Sequence, residues 1–393
     1  MKILHICLSC FYIDANSYQE NMIIKAHVDK GYDVRVLAST ETYNEKGNLI
    51  YLSPCEYNGD DGAIVTRIPY FKYLPHFLAK KVRYYPNAIA FIKDVNPDLI
   101  YFHGLPAFEL YRVSKLSQKK GIRLVVDSHE DYINSARTFL SRNVLHRLYY
   151  KWVIRASLRY IKKIYCVTED TIDFCKSMYG IDENQLEFLP MGGKIFSDEE
   201  YDSRRFKFRK KYNYDDNELV CAQTGRFTED KKLIENIEII NCLKNKNFHL
   251  VLAGIPNDRI RPKLEYYLNE SLNIDYIGWC NKEEMFDLLC GIDVYIQPGS
   301  QSATLQSSIC ARCAVVATDT KTHRFYINGN GWLINSVNDL YFIYDQIINN
   351  PKKILEMKKR SENIANNKLS YDKIAEYLVS CQAITEHDLL VTR

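Results

Sequence analysis

Two doubly wound α/β domains facing each other across a cleft are what this sequence predicts, and three observations predict them. Apolar runs of strand length alternate with amphipathic stretches of helix length, the pattern of a parallel sheet covered on both faces. The alternation is met twice, in two units of similar size. Between them residues 197–217 are dense in charge and poor in aliphatic side chains, which places a hinge near Gly193. The boundaries that follow are 1–192 for a first domain, 193–369 for a second, and 370–393 for a helical segment packing back on the first.

The first strand spans 2–8. Ser17-Tyr18-Gln19-Glu20 has capping-box spacing, and Met22, Ile23, Ala26, His27 and Val28 follow at helical intervals until Gly31. Strands follow at 33–37, 99–103, 123–127 and 163–167, with a helix over 171–178. In the second half strands fall at 219–223, 248–253, 274–277, 294–297 and 315–318, with a short edge element at 331–334. Helices are expected at 232–244, 261–269, 282–290 and 307–312, and after Asp339 the chain reads as helical to its end. In paired sheets of this kind ligands bind beyond the carboxyl ends of the strands, so those ends are where chemistry is sought.

Composition narrows the function classes. The 393 residues are 46% hydrophobic, ample for two cores. The 52 Lys and Arg against 49 Asp and Glu leave a formal charge of +3, which argues against a nucleic-acid binder. Residues 1–8 are apolar but short and read as a strand rather than a signal peptide. No stretch of 18 uninterrupted apolar residues occurs, and the expected location is the cytoplasm. Of the twelve cysteines, Cys7, Cys166, Cys221 and Cys290 lie in or beside apolar runs, where a thiol behaves as a small hydrophobe. Cys7/Cys10 and Cys310/Cys313 have half-site spacing but no flanking histidines, so neither a metal nor a cofactor is expected.

Two loops of the second half carry the chemistry. In the stretch 224–232 a strand ends at Gly225, Arg226 follows at once, and Lys231 stands at the start of the next helix. Glycine lets a ligand approach the backbone, and two cations beside a helix start neutralise a diphosphate. The stretch 293–308 is a buried strand that stops at Pro298 and opens into a loop of small polar residues. Its exposed N–H groups, with Ser302, Thr304, Gln306 and Ser307, suit phosphate or sugar oxygens. In the first half, His129 follows a strand directly between Asp127 and Glu130, and His103 ends another strand; both are candidates. The loop 14–17 before the first helix is a further candidate for acceptor or sugar.

Residues 142–163 contain Arg142, Arg147, Lys151, Arg155, Arg159, Lys162 and Lys163 and no acid. Tyr149, Tyr150, Trp152 and Tyr160 are interleaved, with Tyr149, Trp152 and Ile154 expected to pack inward. Residues 70–85 repeat the theme with Lys72, Lys80, Lys81 and Arg83 among Phe71, Tyr73 and Phe77. Basic and aromatic residues together on helices suit an anionic membrane surface. The stretch is read either as a surface that docks a cytoplasmic protein on the inner face of the membrane or as a solvated helix whose aromatic residues are core.

The order of these pieces resembles glycosyltransferase family 4, whose fold is GT-B, two Rossmann-like domains across a cleft. Leu189-Pro190-Met191-Gly192 is similar to the family's inter-domain pattern, and Gly225-Arg226 with Lys231 to its phosphate loop. Leu252-Ala253-Gly254, Ile277-Gly278-Trp279 and Asn330-Gly331-Trp332-Leu333 resemble later landmarks. The resemblance implies transfer of a sugar from a nucleotide diphosphate sugar, held by the second domain, to a glycan or lipid-linked acceptor in bacterial surface polysaccharide synthesis. It implies that His129 contacts the transferred sugar and that Arg226 and Lys231 stabilise the departing diphosphate without a bound ion. The family's two donor-loop glutamates, spaced by seven, are absent: the second falls near Ser307, and Arg312 stands where a glycine is usual. Gln306 or Ser307 would then bond the ribose as neutral partners. A nucleotide-sugar epimerase of the same fold, or a non-catalytic binding or assembly relative, is the alternative.

Overall fold

The computed structural model describes all residues except 15, 17, 45–47, 244–247, 272, 301, 303 and 381–393. It divides into two compact units, Gly192–Ser370 and, around it in sequence, Met1–Met191 with the segment that starts at Tyr371.

The first unit opens with β1 (Lys2–Cys7), α1 (Gln19–Asp29) and β2 (Asp33–Ser39). A small antiparallel pair, β3 (Glu41–Tyr43) and β4 (Leu49–Tyr51), precedes β5 (Cys55–Asn58) and β6 (Ile64–Ile68). Then come α2 (His76–Val82), α3 (Ala88–Val95), β7 (Leu99–Phe102), α4 (Phe108–Lys120) and β8 (Arg123–Ser128). A ten-residue π-helix, Ser141–Tyr150, runs into α5 (Lys151–Leu158), followed by β9 (Ile164–Cys166), α6 (Glu169–Phe174) and β10 (Leu186–Phe188). The capping box expected at Ser17 lies outside the described residues, and Tyr18 caps α1 without a side-chain bond.

The main sheet has the order β10-β9-β8-β7-β1-β2-β6-β5, parallel except for the last pair. Its centre is buried on both faces: Ile3, Leu4 and Ile6 of β1 and all four residues of β7 are out of reach of water. That is why these strands read as unbroken apolar runs rather than as alternating ones. The chain builds outward from β1 to β6, then crosses back to lay β7 on the other side of β1. The topological switch point therefore lies between β1 and β7.

The second unit begins with α7 (Asp198–Tyr212), inside the charged stretch that the sequence reads as the neighbourhood of a hinge. Ser197 accepts from the Glu200 N–H, acids fill the first turn and bases the last, so the helix is favoured by its own ends. It is fastened through ions. Arg205 and Arg209 reach Asp293 at 3.0 and 2.8 Å, and Lys358 joins them at 2.9 Å. Burial opposes ionisation of Asp293, but these cations win and hold its carboxyl at about 2.

The sheet of this unit is wholly parallel, in the order β13-β12-β11-β14-β15-β16. Its members are β11 (Leu219–Phe227), β12 (Phe248–Pro256), β13 (Ile274–Gly278), β14 (Val294–Gln297), β15 (Ala314–Thr318) and β16 (Gly331–Ile334). Between and after them lie α8 (Leu233–Leu243), α9 (Arg261–Glu270), α10 (Lys282–Gly291), α11 (Thr304–Cys310), α12 (Lys321–Tyr326), α13 (Leu340–Asn349) and α14 (Pro351–Ile364). Here the switch point falls between β11 and β14. The last described helix, α15 (Tyr371–Ser380), belongs to the first unit, where Ile374 and Leu378 join Ile3, Ile23 and Leu99 in one apolar cluster; residues 381–393, read from the sequence as helical, lie outside the described residues.

Candidate functional site

Each sheet gathers polar groups at its switch point. In the second unit β11 does not stop at Gly225, as the sequence suggests, but runs on beside β12 to Phe227. Two glycines allow this. Gly225 pairs with Gly254, both at positive φ, and a β-carbon on Gly254 would lie 1.8 Å from the Gly225 carbonyl oxygen. Arg226 is thus carried on a strand extension with an exposed side chain, and among the described residues its guanidinium has no hydrogen-bond or ion-pair partner.

Lys231 sits in a 3-10 turn, Glu229–Lys231, one residue short of the turn that opens α8. Its ammonium donates to the Ser300 carbonyl at 2.9 Å, and the Ser300 N–H donates to the Asp230 carbonyl at 3.0 Å. The loop after β11 and the loop after β14 are therefore stitched together. Gly299 makes the seam possible, since a β-carbon there would stand 2.0 Å from the Asp230 carbonyl oxygen. Burial pushes the Lys231 ammonium down from its usual range.

The polar loop after β14 contributes Ser302 and Thr304, hydrogen-bonded to each other at 3.3 Å. Both lie by the Tyr295 hydroxyl, which also meets Thr224 of β11 at 3.0 Å. The helix here starts at Thr304, three residues earlier than the sequence indicates, which places Ser307 within α11 rather than at its start. Gln306 is buried, and its Oε1 has no partner among the described residues. Arg312 has φ +63°, which explains why a glycine suits the position. Asp198 at 2.6 Å, Glu362 at 3.2 Å and the Tyr201 ring hold the arginine in that conformation.

In the first unit the site gathers around Asp127, fully buried at the end of β8. Its Oδ1 accepts from the Gly104 N–H at 2.8 Å, and its Oδ2 faces His103 Nδ1 at 2.8 Å and His129 Nε2 at 3.5 Å. Burial disfavours the Asp127 charge, yet the two imidazoles hold its carboxyl well below the usual range. Burial likewise works against a charged His129, but the Asp127 carboxylate overrides it and raises the imidazole to about 9. The two candidate histidines part company here: His129 is about one-third exposed (35%) and His103 lies beneath it at 2%. Next to His129, burial raises the Glu130 carboxyl, which accepts from Ser128 Oγ at 2.5 Å.

Several groups at this end escape sequence reasoning. Arg83 reads as one more surface cation of α2, but its left-handed backbone turns it inward, where it donates to the Ser9 and Pro106 carbonyls at 2.5 and 2.9 Å. Gly104 adopts φ +82°, and a β-carbon on it would press on Ser9 Oγ at 3.0 Å. The histidines His5 and His27 are also buried here; a histidine inside the apolar run of β1 was the available signal. Of the loop 14–17, Ala15 and Ser17 lie outside the described residues, while Asp14 pairs with the buried Arg67 at 3.1 Å. The free cysteines include Cys7, Cys310 and Cys313, all buried, and no group of three or more potential metal ligands occurs among the described residues.

Residues 22–192 match the model of Glycosyltransferase Family 4. The chain is a glycosyltransferase, and the residues that match family 4 lie in its first half. No curated protein sequence matches the transferase. Solved structures do, at identities that speak for the GT-B fold alone. HepE of Anabaena, determined with UDP, is 15% identical with a TM-score of 0.64, covering 97% of this chain and 99% of its own. Sucrose-phosphate synthase of Thermosynechococcus elongatus is 13% identical with a TM-score of 0.65, covering all of both chains. WaaG, described as a glycosyltransferase involved in lipopolysaccharide biosynthesis, is 15% identical with a TM-score of 0.57, covering 97% and 100%.

Proposed function

We propose that this transferase moves a sugar from a nucleotide diphosphate sugar, with UDP as the leaving group, to a glycan or lipid-linked acceptor at an anionic membrane surface. The observation that carries the donor reading is the seam of the second unit. Lys231 is bound to the Ser300 carbonyl and Gly299 lies against Asp230, while Arg226, on the extension of β11, has no partner among the described residues. A cation fixed in advance, as Lys231 is, stabilises a diphosphate as its charge develops, with little reorganisation at the moment of transfer. The buried Gln306 Oε1 is an acceptor awaiting a donor, and a ribose hydroxyl supplies one. UDP is the nucleotide held by HepE, and WaaG's part in lipopolysaccharide biosynthesis supports a place in surface polysaccharide synthesis.

The acceptor reading rests on the π-helix and α5. Phe139, Leu140, Val144, Leu148 and Trp152 are all at least half exposed along one side. Trp152 does not pack inward as the sequence suggests: His146, Tyr150, Val153 and Ile154 take the buried face, which leaves Trp152 on the other. Arg142, Arg147, Lys151 and Arg155 accompany the stripe, and none of them makes an ion pair among the described residues. The Tyr149 and Tyr150 hydroxyls donate to the Val82 and Lys81 carbonyls, docking α2 and its exposed Phe77 and Leu78 beside it. Apolar side chains bare to water and flanked by unpaired cations match an anionic bilayer, chain for acyl region and charge for headgroup.

The test is a melting-point screen of nucleotide sugars followed by a transfer assay on vesicles carrying lipid-linked glycans. A ligand at 100 times its Kd adds about 2.7 kcal/mol of stability. A uridine diphosphate sugar is expected to raise the melting temperature and to lose its sugar to the lipid-linked acceptor. If no nucleotide sugar stabilises the protein, the donor reading fails. Conversion of the donor without acceptor would instead make it an epimerase, and binding without either reaction a non-catalytic relative.

A further inference from the structure

Behind Asp127 lies a line of buried histidines that the transfer chemistry does not call for. His27 on α1 meets His5 of β1, Nδ1 to Nε2, at 3.0 Å; His5 Nδ1 meets His103 Nε2 at 2.9 Å; His103 Nδ1 meets Asp127 at 2.8 Å. At the far end His27 Nε2 lies 3.2 Å from the Ala375 carbonyl of α15. All three rings are buried, and those of Tyr101 and His103 stack at 4.1 Å.

The line can be counted for protons. A carbonyl only accepts, so His27 donates to Ala375 from Nε2. Burial holds His27 down at about 4 and His5 well below its usual range, so both are neutral rings with one N–H each. His27 Nδ1 is then an acceptor, His5 donates to it from Nε2, and His5 Nδ1 in turn accepts from His103 Nε2. The fourth contact, between His103 Nδ1 and the Asp127 carboxylate, needs a proton too. Four contacts require four protons, and three neutral imidazoles supply three.

We propose that His27, His5 and the Ala375 carbonyl act as positioning groups that hold His103 doubly protonated against Asp127, and thereby set how tightly His129 keeps its own proton. Asp127 faces two imidazoles through one oxygen. With one of them a fixed cation, the carboxylate is partly neutralised, and His129 releases a proton more readily than it would beside an unshared carboxylate. The other groups facing the line are Glu20 and Lys30 of the α1 region, Glu130 after β8, and Tyr101. Glu130 and Glu20 favour a charged His129, while Lys30 disfavours charge on His27. That His129 meets the transferred sugar rests on the family resemblance and on the proposed transfer reaction; the proton count does not.

The experiment is nitrogen–proton correlation NMR of the full chain labelled in its histidine rings, for wild type, His27→Phe and His27→Gln. In wild type at pH 7 His103 is expected to carry protons on both ring nitrogens, with His5 and His27 as singly protonated Nε2–H forms. Phenylalanine fills the space but breaks the line; His103 should then keep only its Nδ1 proton, and the His129 midpoint should rise by on the order of one pH unit. Glutamine offers an acceptor and a donor on one amide, and is expected to restore the wild-type pattern. A purely structural role would lower stability in His27→Phe without moving the His129 midpoint. The proposal is overturned if His103 is singly protonated in wild type, or if the midpoint stays put in the folded phenylalanine variant. Because the wild-type spectrum decides the proton count alone, a variant that fails to fold does not spare the idea. UDP binding, measured separately by calorimetry, tells loss of the donor reading apart from loss of this one.

Discussion

At the scale of single residues, the two cations proposed to meet the diphosphate differ in what they are already doing. Lys231 closes a loop-to-loop bond through the Ser300 carbonyl, whereas Arg226 projects from β11 without a partner among the described residues. Each charge-assisted bond to a diphosphate is worth about 1.5–3 kcal/mol, or roughly 10- to 150-fold in affinity. Arg226→Ala is expected to lose that much UDP affinity with the melting temperature of the free protein unchanged. Lys231→Ala should lose affinity and melt lower as well, because the Ser300 carbonyl loses its donor. Titration calorimetry with UDP and melting of the free proteins check both; unchanged affinity in both variants removes the phosphate role. Sequence singled out these two residues because charge beside glycine is a local pattern. It read Arg83 as a surface cation and left out Gly104; their parts depend on a left-handed backbone and on where Ser9 ends up, and neither is local.

At the scale of elements, helices that bury an apolar stripe were legible and those held otherwise were not. The 15-residue α7 reads as a charged connector because arginines bound to Asp293 and Asp287 do much of the work that leucines do elsewhere. The stretch from 142 onward shows the converse. Its basic and aromatic content was plain in the sequence, but which aromatics face water depends on how a π-helix passes into α5. That exposure makes the membrane reading testable. Each basic residue near an anionic surface contributes about 1 kcal/mol, so Arg147, Lys151 and Arg155 changed together to Glu should cost on the order of 3 kcal/mol, over a hundredfold in partitioning. Sedimentation with anionic and neutral vesicles measures it, with circular dichroism to show that the variant is folded. Wild type that ignores lipid charge, or a folded variant that binds as well as wild type, would leave the stripe without its lipid partner.

At the scale of the whole molecule, the alternation of strand and helix was enough to predict two doubly wound units, since a strand buried on both faces cannot hide its composition. The lock on the second unit was not foreseeable, because the arginine pair of α7, Asp293 and Lys358 are far apart in the chain. Its pH behaviour follows from Asp293. A carboxyl at about 2 in the folded state and near 3.9 when unfolded adds roughly 2–3 kcal/mol above pH 4, lost as pH falls through 2. Asp293→Asn should flatten that acid limb and, by stranding three cations, cost about 3–5 kcal/mol at neutral pH. Denaturant melts at pH 2.5, 4 and 7 decide it; an unchanged acid limb would show that the carboxylate is not the group that titrates. The return of α15 to the first unit has a consequence for synthesis. The last helix that covers Ile3, Ile23 and Leu99 leaves the ribosome only after about 180 residues of the second unit have been made. At 5–20 residues per second that is roughly 10–40 s during which the first unit stands with an apolar flank uncovered. In the cell the inserted unit can finish folding before the one that started first, and a nascent-chain chaperone has its natural purchase on the α1 face that α15 later covers.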